Sequence, residues 1–207
     1  MFLAGIALAG AIACFYSLIP RAFAQSQSDD LPGVTELKKG DYENAIKLLT
    51  ARLTTNAEDA ETEKNLLRAY LETGRYVEAE ASAKKFLLKT ATAAGVRHQL
   101  AEVFASTGRY PEASAEFERA SADAAKSPAD KVSSDLRRAE VLELTGQEDR
   151  ARPIFEALVT YYKEKQPDTA AELTAVGRAL VHLEDTRTRT TFIARRSQLT
   201  LPISTPS

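Results

Sequence analysis

Past residue 32 the apolar side chains recur at helical spacing. Leu66, Leu67, Ala69, Tyr70 and Leu71 mark one helix, which Asn56 or Asp59 can cap and Gly74 can end. Ala79, Ala83, Phe86 and Leu87 mark a second over residues 76–89. The plan is then repeated. Leu100, Ala101, Val103 and Phe104 line a third helix, and Ala113, Phe117 and Ala120 a fourth. Ala139, Val141, Leu142 and Leu144 line a fifth; Ala151, Phe155, Leu158 and Val159 line a sixth. No segment alternates with period two for long, so the pattern predicts essentially no sheet.

The helices come in copies. Gly40, Gly74 and Gly108 recur at one fixed interval, and Gly146 follows four places later than that rhythm predicts. Each opens a near-identical phrase, as in Gly74-Arg75-Tyr76-Val77-Glu78-Ala79 and Gly108-Arg109-Tyr110-Pro111-Glu112-Ala113. An aromatic follows the glycine by two places at Tyr42, Tyr76 and Tyr110, with Glu148 in the last copy. A small residue follows by five at Ala45, Ala79, Ala113 and Ala151. A period of this length marks a helical solenoid, in which each unit buries its apolar face only against its neighbours.

These residues resemble the tetratricopeptide repeat family, whose helix–turn–helix unit has the same period, over residues 33–184. The resemblance implies an all-α, right-handed superhelical solenoid of about four repeats plus a final helix. Leu66 and Leu100 hold a family position eight before the glycine, where the fourth repeat has Arg138. Leu49, Phe117 and Phe155 hold the large position nine after it, where the second repeat has Ala83. The family's proline at the end of the second helix is absent from three repeats, although Pro167 follows the fourth. In this reading the alanines are helix crossings and the tyrosines fill the space between units.

Two irregularities stand out. Only residues 34–39 fit between Pro32-Gly33 and Gly40, so the first opening helix is stunted. The fourth repeat carries four extra residues around 125–130, where Ser127-Pro128 can stop one helix and start the next. The insertion is expected to lengthen the loop or the flanking helices. Pro153 sits early in its helix, where it removes few hydrogen bonds.

Residues 168–184 read as one more opening helix, with Leu173, Val176, Ala179, Leu180 and Leu183 apolar. Repeating the interval from Gly108 to Gly146 once more lands on Glu184 instead of a glycine. The rhythm stops there, and residues 185–207 are expected to be an irregular, disordered tail. Either a solvated final helix caps the stack, or the pattern is broken by a truncation or frameshift of the gene.

Residues 2–19 carry no charge and are almost all apolar, and Ala22-Phe23-Ala24 forms a small-residue cleavage site. Residues 1–24 therefore read as a secretory signal peptide, with 25–32 a polar linker. An uncleaved membrane anchor is the other reading, since the run approaches the length of a bilayer span. Localisation is expected to be exported, periplasmic or membrane-associated and facing the periplasm of a bacterium. Cys14, the single cysteine, lies in the leader; lipid attachment there would require the apolar run to end sooner than Ile19. A chain cleaved after Ala24 has no disulfide and no thiolate ligand.

Composition narrows the chemistry. The chain has 207 residues with a net charge of −2, which argues against a nucleic-acid binder driven by phosphate neutralisation. Arg97-His98 and Arg137-Arg138 are basic spots too sparse for a nucleic-acid stripe. His98 and His182 stand in different repeats, and no zinc-protease, nucleophile-elbow or phosphate-loop motif is present. Acid pairs such as Glu78 with Glu80 have nothing placing them in a cleft. No enzymatic activity, metal or cofactor is expected.

The resemblance instead implies a non-catalytic scaffold holding a protein or peptide partner on the opening helices, which line the inner groove. Self-alignment of the repeats puts Lys64, Arg68, His98, Glu102, Glu140 and Arg178 on that face. Tyr70 and Phe104 look like core. A second reading is the regulatory or positioning part of a larger exported enzyme.

Overall fold

The computed structural model describes residues 31–167 and 169–199, with side chains through residue 184. The expected leader over 1–24 and nearly all of the linker over 25–32 lie outside the described residues, as does 200–207. Nine helices make up the described chain, and no strand occurs among these residues. They are α1 (Val34–Lys39), α2 (Tyr42–Thr55), α3 (Ala60–Glu72), α4 (Tyr76–Leu87) and α5 (Ala94–Ser106). Then follow α6 (Tyr110–Asp123), α7 (Pro128–Leu144), α8 (Glu148–Lys165) and α9 (Ala170–Leu199). Odd-numbered helices open each unit and even-numbered helices close it.

Local chemistry sets the boundaries. Asp59 begins α3 by accepting from the Thr62 backbone N–H at 3.1 Å and from its hydroxyl at 2.7 Å, and Arg52 of α2 donates to the same carboxylate at 2.9 Å. Gly40, Gly74, Gly108 and Gly146 all sit in the left-handed region, with φ between 70° and 80°. That conformation lets the chain reverse within two residues, and a side chain there would be strained. Gly33 is needed for a different reason. A Cβ on it would lie 2.7 Å from Leu49 Cγ, so the chain can enter α1 against α2 only because none is present.

Each opening helix buries two faces. Leu66 and Ala69 of α3 join a cluster with Val34, Leu37, Ala45, Ile46 and Leu49 of the preceding unit. Leu67, one residue on, joins Ala79, Ala83 and Phe86 of its own closing helix. Helix α7 repeats this, with Val141 in the cluster shared by α3 to α6 and with Ala139 and Leu142 against Ala151, Phe155 and Leu158 of α8. The core is thus a chain of overlapping clusters, as a solenoid requires. Ala45, Ala79 and Ala113 are fully buried at the crossings, and Ala151 nearly so. The tyrosines Tyr42, Tyr76 and Tyr110 lie half-buried against the clusters.

The irregular stretches resolve in specific ways. Helix α1 has six residues, the stunted opening that the sequence implies. The four extra residues of the fourth unit go into the helix: α7 has 17 residues where α3 and α5 have 13. The expectation for residues 185–199 is corrected. Helix α9 runs through Leu199, so the helix continues well past Glu184. No glycine or proline occurs between 185 and 199, and an established helix extends wherever nothing breaks it. Among the described residues no helix is long and apolar enough to cross a membrane.

Candidate functional site

Successive opening helices stand side by side, α3 against α5, α5 against α7 and α7 against α9. Two adjoining cavities open on the ribbon formed by the last three. One, of about 430 Å³, is walled by Tyr110, Arg137, Val141, Leu144, Arg178 and His182, among others. Its neighbour, of about 370 Å³, is walled by His98, Leu136, Arg137, Thr174 and Arg178, with small residues of α7 and α9. Arg137 and Arg178 belong to both, so the two form one trough across α5, α7 and α9.

The trough is cross-linked by charge. Arg137 donates to Glu102 of α5 through Nε at 2.6 Å and Nη2 at 2.7 Å. Its remaining terminal nitrogen donates to Glu140 on its own helix at 2.6 Å. Those two carboxylates hold the Arg137 guanidinium above its usual range, so it stays charged. Glu140 reaches on to α9, where Arg178 Nη2 lies 2.5 Å from Oε1. That contact is off the hydrogen-bond direction, and Glu140 Oε1 accepts no directed bond, so the pairing is ionic. His182 of α9 stacks on Phe155 with 4.6 Å between ring centres and meets Glu143 through Nδ1 at 2.5 Å. Three helices are thereby tied through alternating carboxylates and guanidinium groups.

The sequence-derived groove residues divide. Glu102, Glu140 and Arg178 join the trough network through Arg137. His98 lines the smaller cavity but is mostly buried, with Nδ1 2.9 Å from Ser134 Oγ and its ring edge-on to Phe117. Burial holds its imidazole below the ordinary value, and Arg137 and Lys64 act in the same direction against Glu102 and Asp130. Lys64 and Arg68 stand one helix back, on α3, and wall neither cavity. Lys64 packs over Gly95 of α5 and pairs with Glu61 at 2.7 Å, while Arg68 is exposed. The basic spots are internally paired: Arg97 with Asp123 at 2.6 Å and Glu116 at 3.1 Å, Arg138 with Glu118 at 2.9 Å.

Three trough residues were not among the candidates: Arg137, Leu144 and His182. The repeat register carries the signal for the last two. Ser106, Leu144 and His182 hold equivalent places in successive units and fall four places after Glu102, Glu140 and Arg178, one turn along the same face. Arg137 is visible only in three dimensions, because its carboxylate partner Glu102 belongs to the preceding unit. Among the described residues no group of three His, Cys, Asp or Glu is placed to hold a metal ion.

Comparison with known proteins agrees with this architecture. Tetratricopeptide repeat family models match residues 36–91 and 98–168, together more than half of the chain. No curated protein matches the sequence. Among solved structures, a Podosopora anserina kinesin light chain protein with nearly identical TPR-like repeats superposes with a TM-score of 0.59 at 19% identity. The match covers 86% of this chain and 94% of the other. A thermophilic TPR protein of Thermus thermophilus, TTC0263, gives 0.56 at 20% identity, over 77% and 82%. MamA gives 0.52 at 20% identity, over 75% and 96%. At these identities the likeness is one of fold. With the glycine turns, the alanine crossings and the overlapping cores in place, the chain belongs to the tetratricopeptide repeat family and has the build of a protein-interaction scaffold.

Proposed function

We propose that the chain is a non-catalytic scaffold that captures a segment of a partner protein in the trough across α5, α7 and α9. The observation that carries this is the pair of adjoining cavities formed by three successive opening helices and sharing Arg137 and Arg178. The surface is prearranged by its own ion pairs, so little ordering is required on the scaffold side when a segment docks. Leu144 stands 68% exposed at the wall and offers an apolar anchor beside the charged groups.

A photocrosslinking residue placed at Leu144 of the full chain tests this. The expected result is a defined crosslinked partner, lost when Arg178 is changed to Glu. Equal capture from Val77, which is exposed on α4, overturns it. The double reversal Lys64→Glu, Arg68→Glu reports how far the segment extends, because weakened capture places it on α3 as well.

We also propose that the scaffold works outside the cytoplasm, on the strength of the uncharged apolar run over 2–19 and the Ala22-Phe23-Ala24 site. Intact-mass measurement of the mature protein tests export with cleavage. Loss of residues 1–24 is the expected result, and their retention would indicate an anchor.

A further inference from the structure

Among the described elements α9 touches only α7 and α8. It is an opening helix by register, yet no described closing helix packs on it. The repeat register names the face left bare. Leu67, Ala101 and Ala139 are fully buried inside their units, and Gly177 holds the equivalent place in α9. Phe104 and Leu142 are buried at the position that Leu180 holds in α9. Leu173 falls at the position of Asp135. In α9 these residues face outward. Leu173 and Leu180 are each 44% exposed and Val181 is 65% exposed, while a Cβ on Gly177 would touch nothing within 4 Å. The opposite face of the same helix is buried at Ala175, Val176 and Ala179.

The next stretch of chain does not cover this face. A closing helix begins two residues after its turn glycine in every earlier unit, but α9 passes the corresponding point without turning and stays helical to Leu199. Residues 185–199 therefore continue along the helix axis instead of folding back over Leu173 and Leu180.

The face is also self-complementary. Leu173 and Val181 lie four places to either side of Gly177. A two-fold axis at Gly177, with two α9 helices antiparallel, sets Leu173 of each copy against Val181 of the other. The glycine is the smallest possible residue at the crossing, where backbones must approach closely. A 30-residue helix is about 45 Å long, enough for the contact to run well beyond the central turns. Isologous pairing of one patch with itself is the commonest route to a closed dimer. We propose that the exposed face of α9 is a homodimer interface, crossing at Gly177, that closes the open end of the solenoid with a second copy of this chain.

The dimer is tested with the full chain by sedimentation velocity at micromolar concentration and by disulfide trapping. The expected species has twice the chain mass, and Leu180→Asp, which alters an exposed position, weakens association at least tenfold while helicity by circular dichroism is unchanged. In a Cys14→Ser background, Gly177→Cys should form a disulfide dimer under mild oxidation, whereas Leu88→Cys, exposed on another surface, should not. Leu144→Glu in the trough should leave the dimer intact, which separates this proposal from the partner-capture reading. A monomer throughout the micromolar range overturns the proposal. So does a dimer that Leu180→Asp leaves unchanged, or a face whose variant loses only a different chain.

Discussion

Arg137 on α7 grips Glu102 on α5 with two bonds, Nε to Oε1 at 2.6 Å and Nη2 to Oε2 at 2.7 Å. This fork spans neighbouring units, and both side chains are largely shielded from solvent. Arg137→Ala leaves two carboxylates facing each other without their cation, and should cost about 1–3 kcal/mol in chemical denaturation. Adding Glu102→Gln should recover part of that loss. Arg137→Lys should not restore wild-type stability, since an ammonium cannot reproduce the planar fork.

Ala113 is fully buried where α6 crosses α5. Ala113→Leu should overpack the crossing and cost about 1–3 kcal/mol, read from the denaturation midpoint. The control is Ala115→Leu, two residues away on the exposed face, which should stay within about 0.5 kcal/mol of wild type. Equal behaviour of the two would show that the register of the crossings is wrong.

Glu63 of α3 is buried, and its Oε1 accepts from Ser82 Oγ of α4 at 2.6 Å. Burial pushes its carboxyl above the usual value, outweighing the hydroxyl and Lys85. The folded state then holds this proton more tightly than the unfolded chain. Stability is lost as pH rises from the unfolded value through the folded one. Glu63→Gln keeps an acceptor for Ser82 and removes the charge. It should raise the melting temperature at pH 7, and the gain should vanish below about pH 4, where the wild-type carboxyl is protonated in both states.

His98 runs the other way. Its imidazole is held below the ordinary value by burial, so the unfolded chain takes up the proton first as pH falls. Stability is full above about pH 6.5 and declines toward the lower folded value. The carboxylates of Glu102 and Asp130 oppose this, and Arg137 and Lys64 reinforce it. His98→Gln should flatten the melting-temperature profile between about pH 6.5 and pH 5.

The repeating part of the fold is legible in the sequence because its cause is local. A glycine at positive φ, an alanine five places on and an apolar stripe at helical spacing are each visible within one unit. The insertion is visible as a count but not as a place; four residues lengthen a helix only if they suit its first turn, and Pro128-Ala129-Asp130 does. The continuation of α9 is hidden because loss of amphipathic pattern looks like loss of helix. Backbone helicity needs only the absence of a breaker, whereas the pattern reports burial. The groove face is readable from register, but its electrostatics are not. His98 has the sequence position of an exposed contact and is mostly buried, and Arg137 belongs to a basic spot in sequence and is held by two acids in space.

The extra turn of α7 gives the inner ribbon a polarity. Measured back from the turn glycine or its equivalent place, α7 begins one turn, about 6 Å, earlier than α3, α5 or α9. On that edge it stands as a step between its two neighbours. A straight rod laid there would rest on the step and miss α5 and α9, whereas the turn edge, where Ser106, Leu144 and His182 lie, is level. Any segment that contacts all three helices at once must therefore approach from the level edge, so the scaffold offers a guest one door rather than two.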